Sequence, residues 1–128
     1  MEQFMRDWWT ANNKVLQGAD PEILKEYFEP ACEACQKNYA TARAFHLKGH
    51  KADSPPYDFV SATVAASNRQ LVSVQAVVKP NPSRLVDRRG RTVREVVGGP
   101  PIDYVVSLAR DGGRWRIYHQ VSLGARPR

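Results

Sequence analysis

The chain has 128 residues, and 19 Lys and Arg against 13 Asp and Glu give it a net charge of +6. This length suits one domain with one hydrophobic core. The hydrophobic share of 42% and the charged share of 25% are typical of a folded protein and argue against disorder. No apolar run is long enough for a membrane-spanning helix. The positive charge suits an anionic partner such as nucleic acid, anionic lipid or cell-wall polymer, and it indicates nothing about the fold.

The first part of the chain predicts three helices. Apolar side chains between residues 3 and 17 repeat as one broad helical face, on which Asn12 also falls. Asp20 and Pro21 have the preferences of an N-cap and a first helical residue, and a short second helix follows and ends at Pro30. A third helix is expected over residues 33–48, with Gly49 at its end. One face of that helix carries Cys35, Tyr39, Ala42 and His46.

From residue 57 onward the apolar residues alternate with a period of two, which predicts β-strands. Two long strands are expected before Pro80, and two short basic strands over residues 84–97 around Arg89 and Gly90. The last two strands form the clearest hairpin, with its turn at residues 111–113. Residues 125–128 are expected to fray. On the last strand one apolar face is predicted to carry Trp115, Ile117, His119, Val121 and Leu123.

Helices followed by strands predict an α+β domain whose helices pack on one face of an antiparallel sheet. A twisted sheet of this size curls, so we expect the three N-terminal helices to fill its concave side, in a single domain over residues 1–128. The chain opens directly into an amphipathic helix and shows no signal sequence. It is therefore expected to be either cytoplasmic or the mature part of an exported protein, without its N-terminal signal or anchor.

Several short motifs resemble the nuclear-transport-factor-two-like superfamily. They are the opening helix, Gly-Ala-Asp-Pro at residues 18–21, the short helix that ends at Pro30, and Gly-Gly-Arg-Trp-Arg-Ile at residues 112–117. The resemblance implies a cone-shaped, cystatin-like α+β fold over essentially the whole chain. Phe-Glu-Pro-Ala-Cys-Glu-Ala-Cys at residues 28–35 is similar to a family of actinobacterial lipoproteins and exported domains. Because this fold hosts enzymes, binding modules and secretion-system components, it implies no single activity.

Cys32 and Cys35 form a Cys-x-x-Cys motif at the start of the third helix. Such a pair is typical of a disulfide, of a redox-active thiol pair or of half a zinc site. The motif follows a helix instead of opening a thioredoxin-like βαβ unit, and the chain has no second cysteine pair for zinc. We therefore expect a structural disulfide, which favours an extracytoplasmic location. Free thiols would favour the cytoplasm.

Polar side chains on the predicted helix and strand faces are candidates for lining a pocket inside the cone. His119 suits a buried neutral imidazole with one hydrogen-bond partner or, alternatively, a base whose pKa is lowered by burial. His46 and His50 have the i, i+4 spacing of a metal-binding pair, but Gly49 interrupts the helix between them, so no metal or cofactor is expected. The candidates for lining this pocket are Asn12, Tyr27, Tyr39, His46, Tyr104 and His119.

A group of arginines forms a basic hairpin arm, which suits either contacts with an anion or a solvated sheet edge that resists aggregation. The arm lacks interleaved aromatic residues for stacking on bases, so nucleic acid is not favoured as a partner. The arginines are Arg84, Arg88, Arg89, Arg91 and Arg94.

Together these features favour a non-enzymatic exported domain, tethered to the membrane by an N-terminal anchor and acting in binding or assembly. A small apolar ligand or a protein partner would bind at the mouth of the cone, and a homodimer is an option. One alternative is an isomerase or dehydratase that uses His119 as base, with a Tyr or Asn orienting the substrate. Another is a scaffold component of a secretion or conjugation machine.

Overall fold

Over residues 1–68 and 70–125, which the computed structural model describes, helices come first and strands follow. Helix α1 is Glu2–Leu16, a 3₁₀ helix is Pro21–Glu26, and α2 is Glu33–Lys48. The strands are β1 (Lys51–Ala52), β2 (Tyr57–Ser67), β3 (Leu71–Pro80), β4 (Ser83–Val86), β5 (Thr92–Val96), β6 (Ile102–Asp111) and β7 (Arg114–Ala125). This order confirms the predicted α+β class, with a 3₁₀ helix as the second of the three helices.

The helix ends use the residues that the sequence indicates. Asp20 is the N-cap of the 3₁₀ helix, and its carboxylate accepts a hydrogen bond from the Glu22 backbone N–H at 3.0 Å. Gly49 ends α2 with a left-handed φ of +73°, a conformation that glycine adopts without steric cost. None of the helices in the described ranges is long and apolar enough to cross a membrane.

The strands form two antiparallel sheets. A four-stranded sheet has the order β2-β3-β6-β7, and a three-stranded sheet has the order β1-β4-β5. The outer edge of β7 is partly covered by the segment after the 3₁₀ helix, because the Ile117 N–H donates to the Tyr27 carbonyl and the Glu29 N–H donates to the Ile117 carbonyl, both at 2.7 Å. This pairing ties the helical layer to the sheet and blunts one exposed edge.

The core lies between the helices and the concave face of the four-stranded sheet. From the helical side, Met5, Trp8 and Leu24 are at most 1% exposed. From the sheet, Val106 and Leu108 are fully buried. Each such side chain contributes about 1.5–3 kcal/mol through burial. The helices therefore fill the concave side, as predicted.

Irregular strands account for the main departures from the predicted alternation. β2 has register shifts between Phe59 and Ser61 and between Val64 and Ala66 against β3, so its residues do not keep one strict alternation. Strand β1 is only two residues long and was not predicted. The prediction that residues 125–128 fray is wrong for Ala125, which pairs with Ile102 at the end of β7, and residues 126–128 lie outside the described residues.

Candidate functional site

The interior of the cone is occupied by aromatic side chains of α1. Trp8 and Trp9 are 1% and 6% exposed, and both lie on the helix face that packs against the sheet. The Trp8 ring centroid is 5.7 Å from that of Tyr27, and the Trp9 ring centroid is 5.3 Å from that of Tyr104. Both pairs are tilted, an arrangement that aromatic rings favour. The protein's own rings therefore fill the space in which a ligand was expected.

Asn12 and Tyr104, two predicted pocket residues, have packing roles in this interior. The Asn12 side chain is 4% exposed; it donates to the Trp8 carbonyl at 2.9 Å and accepts from the Asn38 amide at 2.6 Å. It thereby joins α1 to α2. Tyr104 contacts Trp9 from the sheet side, and burial raises the pKa of its phenol, to which nearby Tyr57 adds.

Tyr27 lies at the surface, where it lines a cleft of about 330 Å³ between the start of α1 and the β6–β7 turn. Phe4 and Trp115 line the same cleft, so its walls are partly aromatic. Burial raises the pKa of Tyr27, and the carboxylate of Asp7 adds to the shift. Tyr27 therefore lines a surface cleft outside the filled interior.

Tyr39 is oriented toward the helical layer. Its hydroxyl donates to the Glu22 carboxylate at 2.7 Å, which joins α2 to the 3₁₀ helix. This hydrogen bond, followed by that from Lys25, lowers the pKa of Glu22. The Lys25 ammonium also lies 4.6 Å from the Tyr39 ring centroid. Tyr39 is thus one member of a surface network.

The prediction that His119 faces the concave side is wrong. Ile117 pairs with buried Leu108, whereas His119 pairs with the next residue of β6, Ser107, so Tyr118 is an extra residue in β7. Such a β-bulge shifts the following residues to the opposite face. His119 is exposed on the outer face of the sheet, and the interior base that the enzyme hypothesis required is not formed by this residue.

Cys32 and Cys35 are joined by a disulfide in the first turn of α2. Both residues are 0% exposed, and the Cys32 sulfur caps the helix by accepting the Cys35 backbone N–H at 3.3 Å. Reactive redox cysteines are partly accessible, whereas buried ones are inert. The bond therefore has a structural position, between the 3₁₀ helix and α2.

The arginines of the predicted basic arm contact different groups. Arg84 pairs with Asp53, with its Nε 3.1 Å from the carboxylate. Arg88 extends to the end of α2, where its Nη2 donates to the Leu47 carbonyl at 3.3 Å. Arg89 and Arg91 lie in the β4–β5 turn, and Arg94 is exposed on β5. The five arginines thus do not form a single site.

A groove of about 410 Å³ brings together two residues that the sequence assigned to separate places. His46, predicted inside the cone, and Arg88, predicted on the arm, both line it. His50 and Lys51 line it as well. Among the described residues, no group of three or more His, Cys, Asp or Glu side chains is placed to hold a metal ion.

Solved structures show what this arrangement is similar to. The intermembrane-space region of the chloroplast protein ARC6 aligns with a TM-score of 0.69 at 14% identity, over 96% of this chain and 93% of that one. A protein with a cystatin-like fold from Caulobacter vibrioides gives a TM-score of 0.63 at 14% identity, over 98% and 87% of the two chains. The chain has the cystatin-like cone fold.

Aln2 from a Streptomyces species shares this cone, with a TM-score of 0.57 at 17% identity over 91% of this chain and 84% of Aln2. No protein-family model matches the chain, and no curated protein sequence does. At these identities the neighbours establish the fold alone.

Two polar side chains that no sequence pattern indicated hold the cone together. Asn13 on α1 donates to the Tyr57 carbonyl at 2.8 Å and accepts the Tyr57 N–H at 3.1 Å, as a neighbouring strand would. Arg116 on β7 donates to the Phe28 carbonyl and lies 3.2 Å from the Glu29 carboxylate. The partner of Asn13 is 44 residues away in the sequence, and those of Arg116 are at least 87 residues away, so no local spacing reveals them.

Proposed function

We propose that this cone is an extracytoplasmic, non-enzymatic domain for binding or assembly, and that it associates through the outer face of its four-stranded sheet. The observation that carries the proposal is the scarcity of charge in the middle of that face, between a row with Asp58 and Lys79 at one end and a row with Arg116 at the other. Three adjacent rows across the sheet contain one carboxylate, Asp103, and no Lys or Arg, in a chain of net charge +6. The rows are Ser61-Val77-Asp103-Gly124, Thr63-Gln75-Val105-Val121 and Ala66-Ser73-Ser107-His119.

The filled interior supports recognition at the surface. Trp8 and Trp9 occupy the concave side, and the polar residues predicted there are dispersed: Tyr39 bonds Glu22, His46 lines a surface groove, and His119 lies outside. A general base must lie within hydrogen-bond reach of a reacting group, together with groups that orient the substrate. These candidates do not converge in that way, so association is favoured over catalysis.

The buried disulfide supports the extracytoplasmic location. Structural disulfides persist in oxidising compartments and are rare in the cytosol, where thiols are kept reduced. Cys32 and Cys35 are both fully buried and bonded to each other. The likeness to actinobacterial exported domains, with a membrane anchor at the N-terminus, belongs to this proposal as well.

A second copy of the chain is the partner that the outer face suits best. Two copies that each carry +6 repel wherever their basic surfaces meet, so their contact favours the face with the least charge. Val121 and Tyr118 are 42% and 41% exposed there and supply apolar area. Ser73, Ser107 and Tyr118 line a depression of about 240 Å³ on the same face, which can accept a side chain of the second copy.

Light scattering coupled to size-exclusion chromatography tests this proposal. We expect wild-type protein to have the mass of a dimer and Val121→Arg to have the mass of a monomer, because two buried guanidinium groups would face each other. Val93→Arg is the matched control, since Val93 is 49% exposed on β5 in the other sheet and should leave the dimer intact. A wild-type monomer, or equal dissociation of both variants, would refute association through this face.

A further inference from the structure

The ends of α1 and α2 meet at a groove with a concentration of basic side chains. Its volume is about 410 Å³, and its polar lining comprises Gln17, His46, His50, Lys51 and Arg88, with Gly18 and Gly49 between them. These residues come from the end of α1, the end of α2, strand β1 and the β4–β5 turn. None of them belongs to the outer sheet face described above.

Arg88 is held in the groove by a specific backbone feature. A Cβ at Gly49 would collide with the Arg88 side chain, so the arginine lies directly across the glycine. Its Nη2 donates to the Leu47 carbonyl at 3.3 Å. A guanidinium has five N–H groups, so this hydrogen bond orients Arg88 and leaves donors for a ligand.

Lys51 is placed in a similar way at the end of the other helix. Its side chain crosses Gly18, and its Cδ lies 3.6 Å from where a Cβ on that glycine would be. Gly18 has a φ of +116° and Gly49 a φ of +73°, so glycine suits both positions. Gly18 and Gly49, which follow the ends of α1 and α2, thus leave room for the cationic side chains of Lys51 and Arg88 in the same groove.

The Asp87 carboxylate in the β4–β5 turn is engaged by the backbone. Asp87 Oδ1 accepts the N–H groups of Arg91 at 3.0 Å and of Arg89 at 2.9 Å, which fixes the β4–β5 turn. The Arg91 hydrogen bond is the largest cause of the lowered pKa of Asp87, and positive charge at His50 contributes. His50 is therefore close enough to the turn to interact with its charges.

Fixed charges of both signs surround the groove. Lys51 and Arg88 supply two positive charges, while Asp87 and the two helix C-termini, at roughly half a charge each, supply about two negative ones. The Asp87 carboxylate is hydrogen-bonded within the β4–β5 turn and does not line the groove, whereas both cations do. Lys14 and Lys48, in the last turns of the two helices, add positive charge nearby.

We propose that this groove binds a phosphate-type oxyanion, with Arg88, Lys51, His46 and His50 as its donors. Arginine donates two parallel hydrogen bonds to such an anion, and lysine supplies a point charge. The groove exceeds the volume of one phosphate group, so it accommodates a phosphate ester. Two cations in its wall disfavour a metal ion on the histidine pair.

Titration of the oxidised full chain with dimethyl phosphate, followed by NMR chemical shifts, tests the site. A phosphodiester keeps one negative charge near neutral pH, so its own titration does not affect the measured affinity. We expect saturable binding to the wild-type chain. Arg88→Gln should weaken binding about tenfold, and His50→Gln, which removes an imidazole donor, should weaken it by less.

Arg94→Gln is the matched control, because Arg94 carries the same charge on the same hairpin but lies outside the groove lining. Equal weakening by Arg88→Gln and Arg94→Gln would mean diffuse attraction to a basic surface and would overturn the proposal. Absence of saturable binding to the wild-type chain would overturn it too. Circular dichroism of each variant shows that any loss is not caused by unfolding.

A second arm distinguishes a lipid headgroup from a soluble phosphate ester. Wild-type protein is sedimented with phosphatidylglycerol vesicles and with phosphatidylcholine vesicles at about pH 6. Binding to the anionic vesicles that is lost in Arg88→Gln and kept in Arg94→Gln supports the site with a lipid source. Dimethyl phosphate binding without vesicle binding supports the site with a soluble source. Vesicle binding that both variants lose equally would overturn the proposal.

Discussion

The two sheets of this cone differ in how much of the core they carry. In the four-stranded sheet Val74, Val106, Leu108 and Ile117 are all 0% exposed, beneath the two helices. In the three-stranded sheet all five residues of β5 are exposed. Hydrophobic burial dominates folding free energy, so the first sheet supplies most of the stability. The three-stranded sheet can therefore carry charged side chains. The arginine hairpin lies there, and β1 and the β4–β5 turn supply Lys51 and Arg88 to the groove.

The largest expected effect concerns the core of the four-stranded sheet. Trp8→Ala removes a side chain that is 1% exposed and should lower the free energy of unfolding by about 3–5 kcal/mol. Val93→Ala on β5 is the matched control and should change it by no more than about 0.5 kcal/mol. Urea unfolding followed by circular dichroism measures both. A loss of similar size from Val93→Ala would show that the three-stranded sheet is also part of the core.

An intermediate effect is expected at the Cys32–Cys35 bond, which lies in the helical layer that packs against the four-stranded sheet. Reduction should lower the free energy of unfolding by about 2 kcal/mol, because the bond closes a short loop. Thermal unfolding with and without reductant measures this, and Cys32→Ala/Cys35→Ala should not respond to reductant.

The same bond tests the proposed location. Because both cysteines are fully buried, alkylation must follow unfolding without reductant to report on the bond. We expect no alkylation of protein from its native host until a reductant is added. Two alkylated thiols before reduction would contradict the disulfide and favour a cytoplasmic location.

The smallest effect is expected in the three-stranded sheet, where Asp53 joins β1 to β4. The Arg84 backbone N–H and then its guanidinium hydrogen-bond the carboxylate and lower the pKa of Asp53. Because its pKa is lowered, ionised Asp53 stabilises the fold at pH values above its unfolded-state pKa of about 3.9. This stabilisation is lost as the pH falls through the pKa of Asp53 in the folded protein. We therefore expect Asp53→Asn to melt at a lower temperature than wild type at about pH 7 and at a similar temperature at about pH 2.

Melting curves of the two proteins over this pH range check the prediction. Asp87 and Glu22, whose pKa values are also lowered, are present in both proteins and cancel in the difference. A melting-temperature gap that stays constant from about pH 7 to about pH 2 would mean that ionisation of Asp53 contributes nothing.

The sequence identified several of the candidate binding residues, but it did not show where they lie in the fold. His46, His50 and Arg88 were all singled out by the sequence, yet His46 was assigned to the interior and Arg88 to a separate arm. The groove forms because the β4–β5 turn packs on the end of α2, a contact between residues 41 positions apart. Lys51 had no signal, since β1 is too short for a periodic pattern.

The amino-acid sequence by itself determined the order of the helices and of the longer strands, the ends of the helices and the helical face that is buried, because these depend on local propensity and periodicity. Asp20, Gly49 and the repeat of apolar residues in α1 are sufficient for that. Only the tertiary structure decided the direction of His119, because a bulge depends on how two strands align. It also decided that Trp8 and Trp9 fill the concave side and that four basic side chains share one groove, since such contacts join residues far apart in the chain.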